Sequence, residues 1–317
     1  MAPPIPRPCA LLAATLTLMA GGCRQAREPG TVRIDPALAA LIPADTVMLI
    51  GVRIAALRDT PVFREYSNRP QAQILDQAAQ QAGFDWRTDA NEMLFASNGN
   101  HTLFTARGRF QVSQLSAKLE SLGLLPQTRH GKTILTSGDS SVVFFNESTA
   151  AVGPTAVVES SLDRRNRPAG VPAPLQALVA QIPADSHAWA TGVGGIAPLA
   201  IPETGNLANL GKVFGSLADW RIAMNFTKGV AMISEGRGPT EADAKKLHGA
   251  LRFLVASGRL STPDNQPDML RFYDTIKVTQ EGLGVRFDAD VPMDLLQKAI
   301  ASLPGSPRPG SSSPLPR

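Results

Sequence analysis

Residues Pro36 to Thr46 read PALAALIPADT and residues Pro174 to Ser186 read PLQALVAQIPADS, so a short apolar helix runs into Ile-Pro-Ala-Asp-Thr/Ser at two places in one chain. A repeat constrains the fold more than any single residue, because both copies must satisfy the same local rules. The proline stops each helix through its missing N–H, and the aspartate accepts hydrogen bonds from nearby backbone to fix a turn. A strand-like run follows each copy, Val47–Val52 (VMLIGV) and His187–Val193 (HAWATGV). Asp45 and Asp185 are therefore read as turn-makers rather than catalytic groups.

The correspondence continues downstream. Ile74, Leu75, Ala78, Ala79 and Ala82 share one helical face ending at Gly83. Met93–Ser97 and Thr102–Gly108 flank Asn98-Gly99, while Arg221–Phe226 and Val230–Gly236 flank Lys228-Gly229, each pair reading as a hairpin. Both hairpins end on Gly-Arg, Gly108-Arg109 and Gly236-Arg237, and a helix follows each: Leu115, Leu119 and Leu122 in the first half, and a run capped by Thr240 with Asp243 in the second. Strands are expected at 133–136, 141–146 and 149–152 before a helix at 155–162, and at 273–279 and 283–289 before a helix at 293–300. This predicts an α+β fold of two similar domains, each an antiparallel sheet with helices packed on one face. The expected boundaries are a first repeat at 32–165, a linker at 166–173 and a second repeat at 174–303, with a Pro/Ser/Gly-rich tail at 304–317.

The amino-terminal segment points to a compartment. Arg7 precedes an apolar run, Ala10–Ala20, of secretory length and too short to span a bilayer. Small residues, Ala20-Gly21-Gly22, then precede Cys23, and here the chain resembles bacterial lipoprotein precursors, whose cysteine is lipidated and becomes the new amino terminus. The resemblance implies a signal peptide at 1–22, an acylated Cys23 and a tether at 23–31. Arg24, rather than aspartate, after the cysteine implies the outer membrane, facing the periplasm. Together with the paired IPADT/S segments, the chain resembles families of uncharacterised bacterial lipoproteins with duplicated α+β domains, such as those common in Acidobacteria. That resemblance implies no activity.

Composition narrows the function. Cys9 falls in the segment expected to be removed, which leaves Cys23 with no partner for a disulfide, a CxxC pair or a thiolate metal site. The net charge of +4 comes without any Lys/Arg run able to track a phosphate backbone, so nucleic acid is not an expected partner. No GxSxG, Walker A, HExxH or EF-hand pattern occurs. No cofactor or metal is expected, and His101, His130 and His248 read as solvated surface residues.

Candidate ligand contacts are few. Gly236-Arg237-Gly238-Pro239-Thr240 leads from a strand into a helix start, a geometry that can bind an anion, although a turn that needs glycine explains it equally. Arg109 is its first-half counterpart, and His187 is the histidine that falls beside a repeat motif. Asp288 and Asp290 share one side of a strand end. Trp189 and Trp220 belong to apolar segments and read as core. The expectation is a non-enzymatic, lipid-anchored envelope protein that binds another envelope component, a protein or a small ligand, through its duplicated halves. The alternative is an envelope hydrolase or transferase with a site assembled from distant segments, which clustering of His187, Arg109, Arg237 and a carboxylate in one concave site would favour.

Overall fold

A computed structural model of the chain describes residues 30–67, 76, 83–166, 170–195 and 214–301. Its strands form one twelve-stranded sheet, antiparallel throughout. The first half supplies β1 (Met48–Val52), β2 (Ala90–Ser97), β3 (Thr102–Gly108), β4 (Leu125–Arg129), β5 (Lys132–Ser137), β6 (Ser140–Asn146) and β7 (Thr149–Pro154). The second half supplies β8 (Ala188–Val193), β9 (Asp219–Asn225), β10 (Gly229–Arg237), β11 (Ile276–Glu281) and β12 (Gly284–Pro292). Their order is β11-β12-β10-β9-β8-β1-β2-β3-β7-β6-β5-β4.

The two repeats meet at β1 and β8, the strands that directly follow the IPAD turns. Met48 faces Gly192, Ile50 faces Ala190 and Val52 faces Ala188, so a local two-fold axis passes through the Ile50–Ala190 pair. Outward from it β2 and β9, β3 and β10, β7 and β12, and β6 and β11 occupy matching places, with the β4–β5 hairpin additional to the first half. Because two strands that would otherwise be edges pair with each other, both halves belong to one continuous sheet.

Side-chain alternation along each strand then separates two faces. On the first face, Leu49, Leu94, Ala96, Trp189 and Ala223 pack under α1 (Pro36–Ala39) and α7 (Ala173–Val179), which contribute Leu38, Leu175, Leu178 and Val179. Farther out on this face, α6 (Thr155–Asn166) buries Val158 and Leu162 against Leu103, Ile134, Val143 and Ala151. On the opposite face, α5 (Val112–Ser121) places Leu115 with Ala106 and Ala150, and α8 (Glu241–Leu260) places Ala244 and Leu247 with Trp220 and Val285. The α+β class and antiparallel sheet stand as the sequence suggested. Helices nevertheless cover both faces, because successive apolar positions such as Leu49 and Ile50 both need cover.

The halves differ at their ends for a countable reason. Val152 of β7 faces Phe104, and Phe287 of β12 faces the matching residue Ser234. Beyond these points β7 runs two residues to Pro154, whereas β12 runs five to Pro292. The odd difference of three residues reverses the face to which the chain is delivered. In consequence α10 (Met293–Ala301) joins α9 (Pro267–Asp274), pairing Asp294 with Arg271 at 3.2 Å and Lys298 with Asp268 at 2.8 Å. In turn α9 packs on α8, where Tyr273 fills the space over Gly258. Among the described residues no helix therefore covers β10 and β12 on the first face, as α6 covers β6 and β7.

Several elements depart from the sequence expectation. Residues Tyr273 and Asp274 end α9 instead of opening a strand, and α9 itself was not anticipated. Also unanticipated are β4, whose Pro126 argues against a strand interior but is tolerated on the sheet edge, and the short helices α2 (Ile54–Leu57), α3 (Pro61–Tyr66) and α4 (Trp86–Asp89). The signal peptide, Cys23, the tether up to residue 29, most of the helix expected at 71–82 and the tail at 304–317 lie outside the described residues.

Candidate functional site

Each repeat builds a small cradle from its IPAD turn and the turn of its β-hairpin. In the first half Asn98 Nδ2 donates to Asp45 Oδ2 at 2.6 Å, while Asn98 Oδ1 accepts from the Asn100 and His101 backbone N–H groups at 3.0 and 2.9 Å. In the second half Asn225 Nδ2 donates to Asp185 Oδ2 at 2.9 Å, and its Oδ1 accepts from Thr227 N at 2.9 Å. Each asparagine thus closes its own turn and clamps the aspartate of the repeat motif. The floors correspond as well: Pro43, Ala96 and Leu103 in one, Pro183, Ala223 and Ile233 in the other.

What covers the two cradles is different. In the first, α6 forms a roof with Ala156, Val157, Ser160 and Arg164, leaving about 240 Å³. The second has no helix over it among the described residues and opens to about 400 Å³, rimmed by Ser186, Thr227, Lys228 and Asp290. The reversed exit of β12 accounts for the difference.

Electrostatics follow the roof. Arg164 Nε donates to Leu41 O at 3.2 Å, and its guanidinium lines the cavity together with Asp45. Burial pushes its pKa below the usual arginine range, against the attraction of Asp45 and Asp163. In the second cradle neither Asp185 nor Asp290 has an ion-pair partner among the described residues, and Lys228 is likewise unpaired. His187 stands behind the turn, 9% exposed, with Nδ1 accepting from Phe226 N at 3.1 Å. That contact requires an unprotonated Nδ1. Burial, and secondarily the Arg53 charge, lower its pKa, opposed by Asp185. Arg53, leaving β1, donates its backbone N–H to His187 O at 2.8 Å and its guanidinium to Ala184 O, so the first half holds the second half's turn in place.

The residues singled out from sequence do not converge. Cys23 lies outside the described residues. Arg109 is exposed, with a 3.4 Å contact to Thr88 O. Gly236 is buried, facing Leu217 and Leu247. Arg237 pairs with Asp219, a largely buried carboxylate. The strand register corrects the expected Gly-Arg equivalence: Met93–Ala106 matches Trp220–Gly236, so Arg237 corresponds to Arg107, not Arg109. Arg107 itself bonds Asp35 at 3.1 Å and Thr149 Oγ1 at 2.6 Å. Gly238 donates its N–H to Leu283 O, and a Cβ there would stand 2.7 Å from Ala244 N, so close approach of the α8 terminus explains this glycine. Thr240 caps α8 by accepting from Asp243 N at 3.2 Å and donating to Asp243 Oδ2 at 2.6 Å. With Glu241 and Asp243 already in its first turn, this helix start presents negative charge to an incoming anion.

Distances along the sheet separate these groups further. His187 precedes the β8 end at Ala188, while Arg237 faces Asp219 beside the other end at Val193. Six strand residues separate the two ends, roughly 20 Å. Arg109 follows β3 and Arg237 ends β10, strands five positions apart in the sheet, a further offset of roughly 24 Å. Asp288 pairs with Arg286 at 2.8 Å, and only Asp290 of that carboxylate pair lines the open cradle. Among the described residues no three His, Cys, Asp or Glu side chains are grouped to hold a metal ion. No described helix is long and apolar enough to cross a membrane. The Asp–Asn clamps and Arg164 were missed in sequence. Their signal was present, since each hairpin carries an asparagine at the same place after an IPAD copy.

With this geometry in hand, known proteins add one point. No family model matches the chain, and no curated protein matches it. Solved structures do. The fold is similar to that of TP0453. Its crystal form I is 12% identical over 86% of this chain and 98% of its own, and form III is 11% identical over 86% and 99%. Form IV is 12% identical over 85% and 98%, and all three give a TM-score of 0.50. At such identity the likeness to TP0453 is one of fold alone.

Proposed function

We propose that this chain is a lipid-anchored, non-enzymatic envelope protein, held to the outer membrane through Cys23 on its periplasmic side, that binds another envelope component in the open cradle of its second half. The observation that carries this reading is the contrast between two matching cradles, one roofed by α6 and one left open. The point of entry of the chain supports it. Thr31 pairs with Pro183, and Val32 N donates to Ile182 O at 2.9 Å, so the folded body begins beside the open cradle. The eight residue-to-residue steps from Cys23 to Thr31 can span at most about 29 Å. An acylated Cys23 would keep the cradle near a membrane surface. Scatter of His187, Arg109 and Arg237 speaks against an assembled catalytic site.

Two measurements test this. Intact mass of the amino-terminal peptide after bacterial expression should show a diacyl or triacyl addition on Cys23, abolished in Cys23→Ser. A photo-crosslinking residue at Thr227 should trap a discrete envelope component, and one at Thr128 on the far sheet edge should not. An unmodified terminus would remove the anchor, and equal labelling from both positions would remove the cradle.

A further inference from the structure

The first cradle shows what its design accommodates. Residues Ala156, Val157, Ser160 and Arg164 lie on one side of α6, and the eight steps from Ala156 to Arg164 cover about 12 Å of helix. Three small side chains sit over the Ala96–Leu103 floor, and Arg164 shares the cavity with Asp45, whose charge acts on it, while its guanidinium bonds Leu41 O at 3.2 Å, Ser160 Oγ at 2.5 Å and Val157 O at 3.4 Å. The second cradle retains the clamp as Asp185–Asn225 and the apolar floor as Ala223, Ala231 and Ile233, and adds a second carboxylate, Asp290. It lacks the arginine. We propose that the second cradle receives from a partner protein what α6 supplies in the first, an arginine on a short helical segment with small side chains, and that its guanidinium meets the unpaired charge of Asp185.

This deepens the binding reading given above and rests on it. The rest of the same sheet face restricts the partner. Where the first half has Thr105, Ala151, Gly153 and Ser141, matching register positions carry Glu235, Arg286, Asp288 and Lys277. Those charges are met internally in part, by Arg286–Asp288 at 2.8 Å and Arg221–Glu235 at 2.6 Å, and they keep the outer strands solvated. A long apolar helix would have to desolvate them. Contact is therefore confined to the cradle and to a segment of two or three turns. A second copy's α6 does not qualify, because Val158 and Leu162 are buried in its own sheet. Lys228 on the rim favours a partner whose arginine is accompanied by an acidic residue, as Asp163 accompanies Arg164.

The test uses the Cys23→Ser form of residues 23–317 and a fluorescent, helix-stapled peptide of sequence TAVVESSLDRRN, that of residues 155–166. Binding followed by anisotropy should saturate below about 1 mM, a range fitting one buried charge-assisted pair and a small apolar contact. The peptide with Arg164→Gln should bind about tenfold more weakly or worse, as should the Asp185→Asn protein. Ala231→Phe, which fills the floor, should abolish binding while thermal melting confirms that it folds. The same weakening in Asp290→Asn would add support. Absence of saturable binding would overturn the inference, as would indifference to both Arg164→Gln and Asp185→Asn. Agmatine binding as tightly as the peptide would also overturn it, since a free guanidine would then suffice. If Thr227 crosslinks a component while the peptide does not bind, the cradle keeps its role and only the arginine assignment falls.

Discussion

Substituting Gly51 by alanine tests the seam that joins the two halves. Gly51 faces Trp189 across the β1–β8 pair, and a Cβ built there would lie 2.2 Å from Trp189 Cε2 and 2.4 Å from Cζ2. Carbon atoms in contact normally stand about 3.5–4.0 Å apart, so the indole must retreat by roughly 1.5 Å. It has nowhere to go, being 1% exposed beneath α1 and α7. Overpacking of a tight core costs about 1–3 kcal/mol, and displacing so large a ring places this site at the upper end, about 2–4 kcal/mol. For a body of this size that corresponds to a melting temperature lower by about 4–8 °C. The assay is urea unfolding of Gly51→Ala, Trp189→Leu and the double variant. Trp189 Nε1 has no hydrogen-bond partner, so Trp189→Leu removes packing without breaking a bond. In the Trp189→Leu background, Gly51→Ala should cost less than about 1 kcal/mol, a coupling that contact between the two residues requires. Equal cost in both backgrounds would refute the register, because a slip of one residue would place the indole on the opposite face.

Other outcomes follow from single groups. His187 has a lowered folded pKa, so above its ordinary value of 6.5 it contributes no pH dependence; as pH falls below 6.5 the unfolded chain takes up a proton that the folded one refuses, and stability should drop until the folded pKa is passed. Thermal melts between pH 7.5 and 5 should show this drop, and His187→Gln should flatten it; protonation also costs the Phe226 contact that holds the cradle turn. Glu92 is held above the usual carboxylate range, chiefly by burial and also by the Asp35 charge, against a hydrogen bond with the Asp35 backbone and the charges of Arg53 and Arg107. Its stabilising protonated form is present below 4.5 and lost as pH rises through the folded value, so Glu92→Gln should raise the melting temperature at pH 7 and lose that gain near pH 4.5. Thr240→Ala should cost about 1 kcal/mol in urea unfolding, the usual value of an N-cap.

Much of the fold is legible along the chain. The IPAD copies, the Asn98-Gly99 and Lys228-Gly229 turns and the capped start of α8 each rest on interactions within a few residues, so local chemistry alone predicts them. Strand β4 and helix α9 escape that reading, since an edge strand tolerates Pro126 only because its outer side is unpaired, and α9 depends on α8 and α10 for its apolar cover. The Gly-Arg correspondence misleads for the same reason: register is set by pairing with β2 and β9, which aligns Arg237 with Arg107. Of the site, the sequence displays both turn aspartates without displaying their clamps, because Asp185 and Asn225 meet only when the hairpin folds back on β8.

By itself, then, the sequence determined an α+β chain written twice, with turn, cap and strand chemistry repeated in each half. Tertiary structure decided three matters that no local pattern contains. It joined the halves edge to edge through β1 and β8, because an unpaired central strand would leave its backbone groups without partners. It placed Trp189 over Gly51, where a large ring needs the space of a missing side chain. It also roofed one cradle and, among the described residues, left the other without a helix, because β12 runs three residues farther than β7 past their matching positions, and an odd count along a strand turns the chain to the other face.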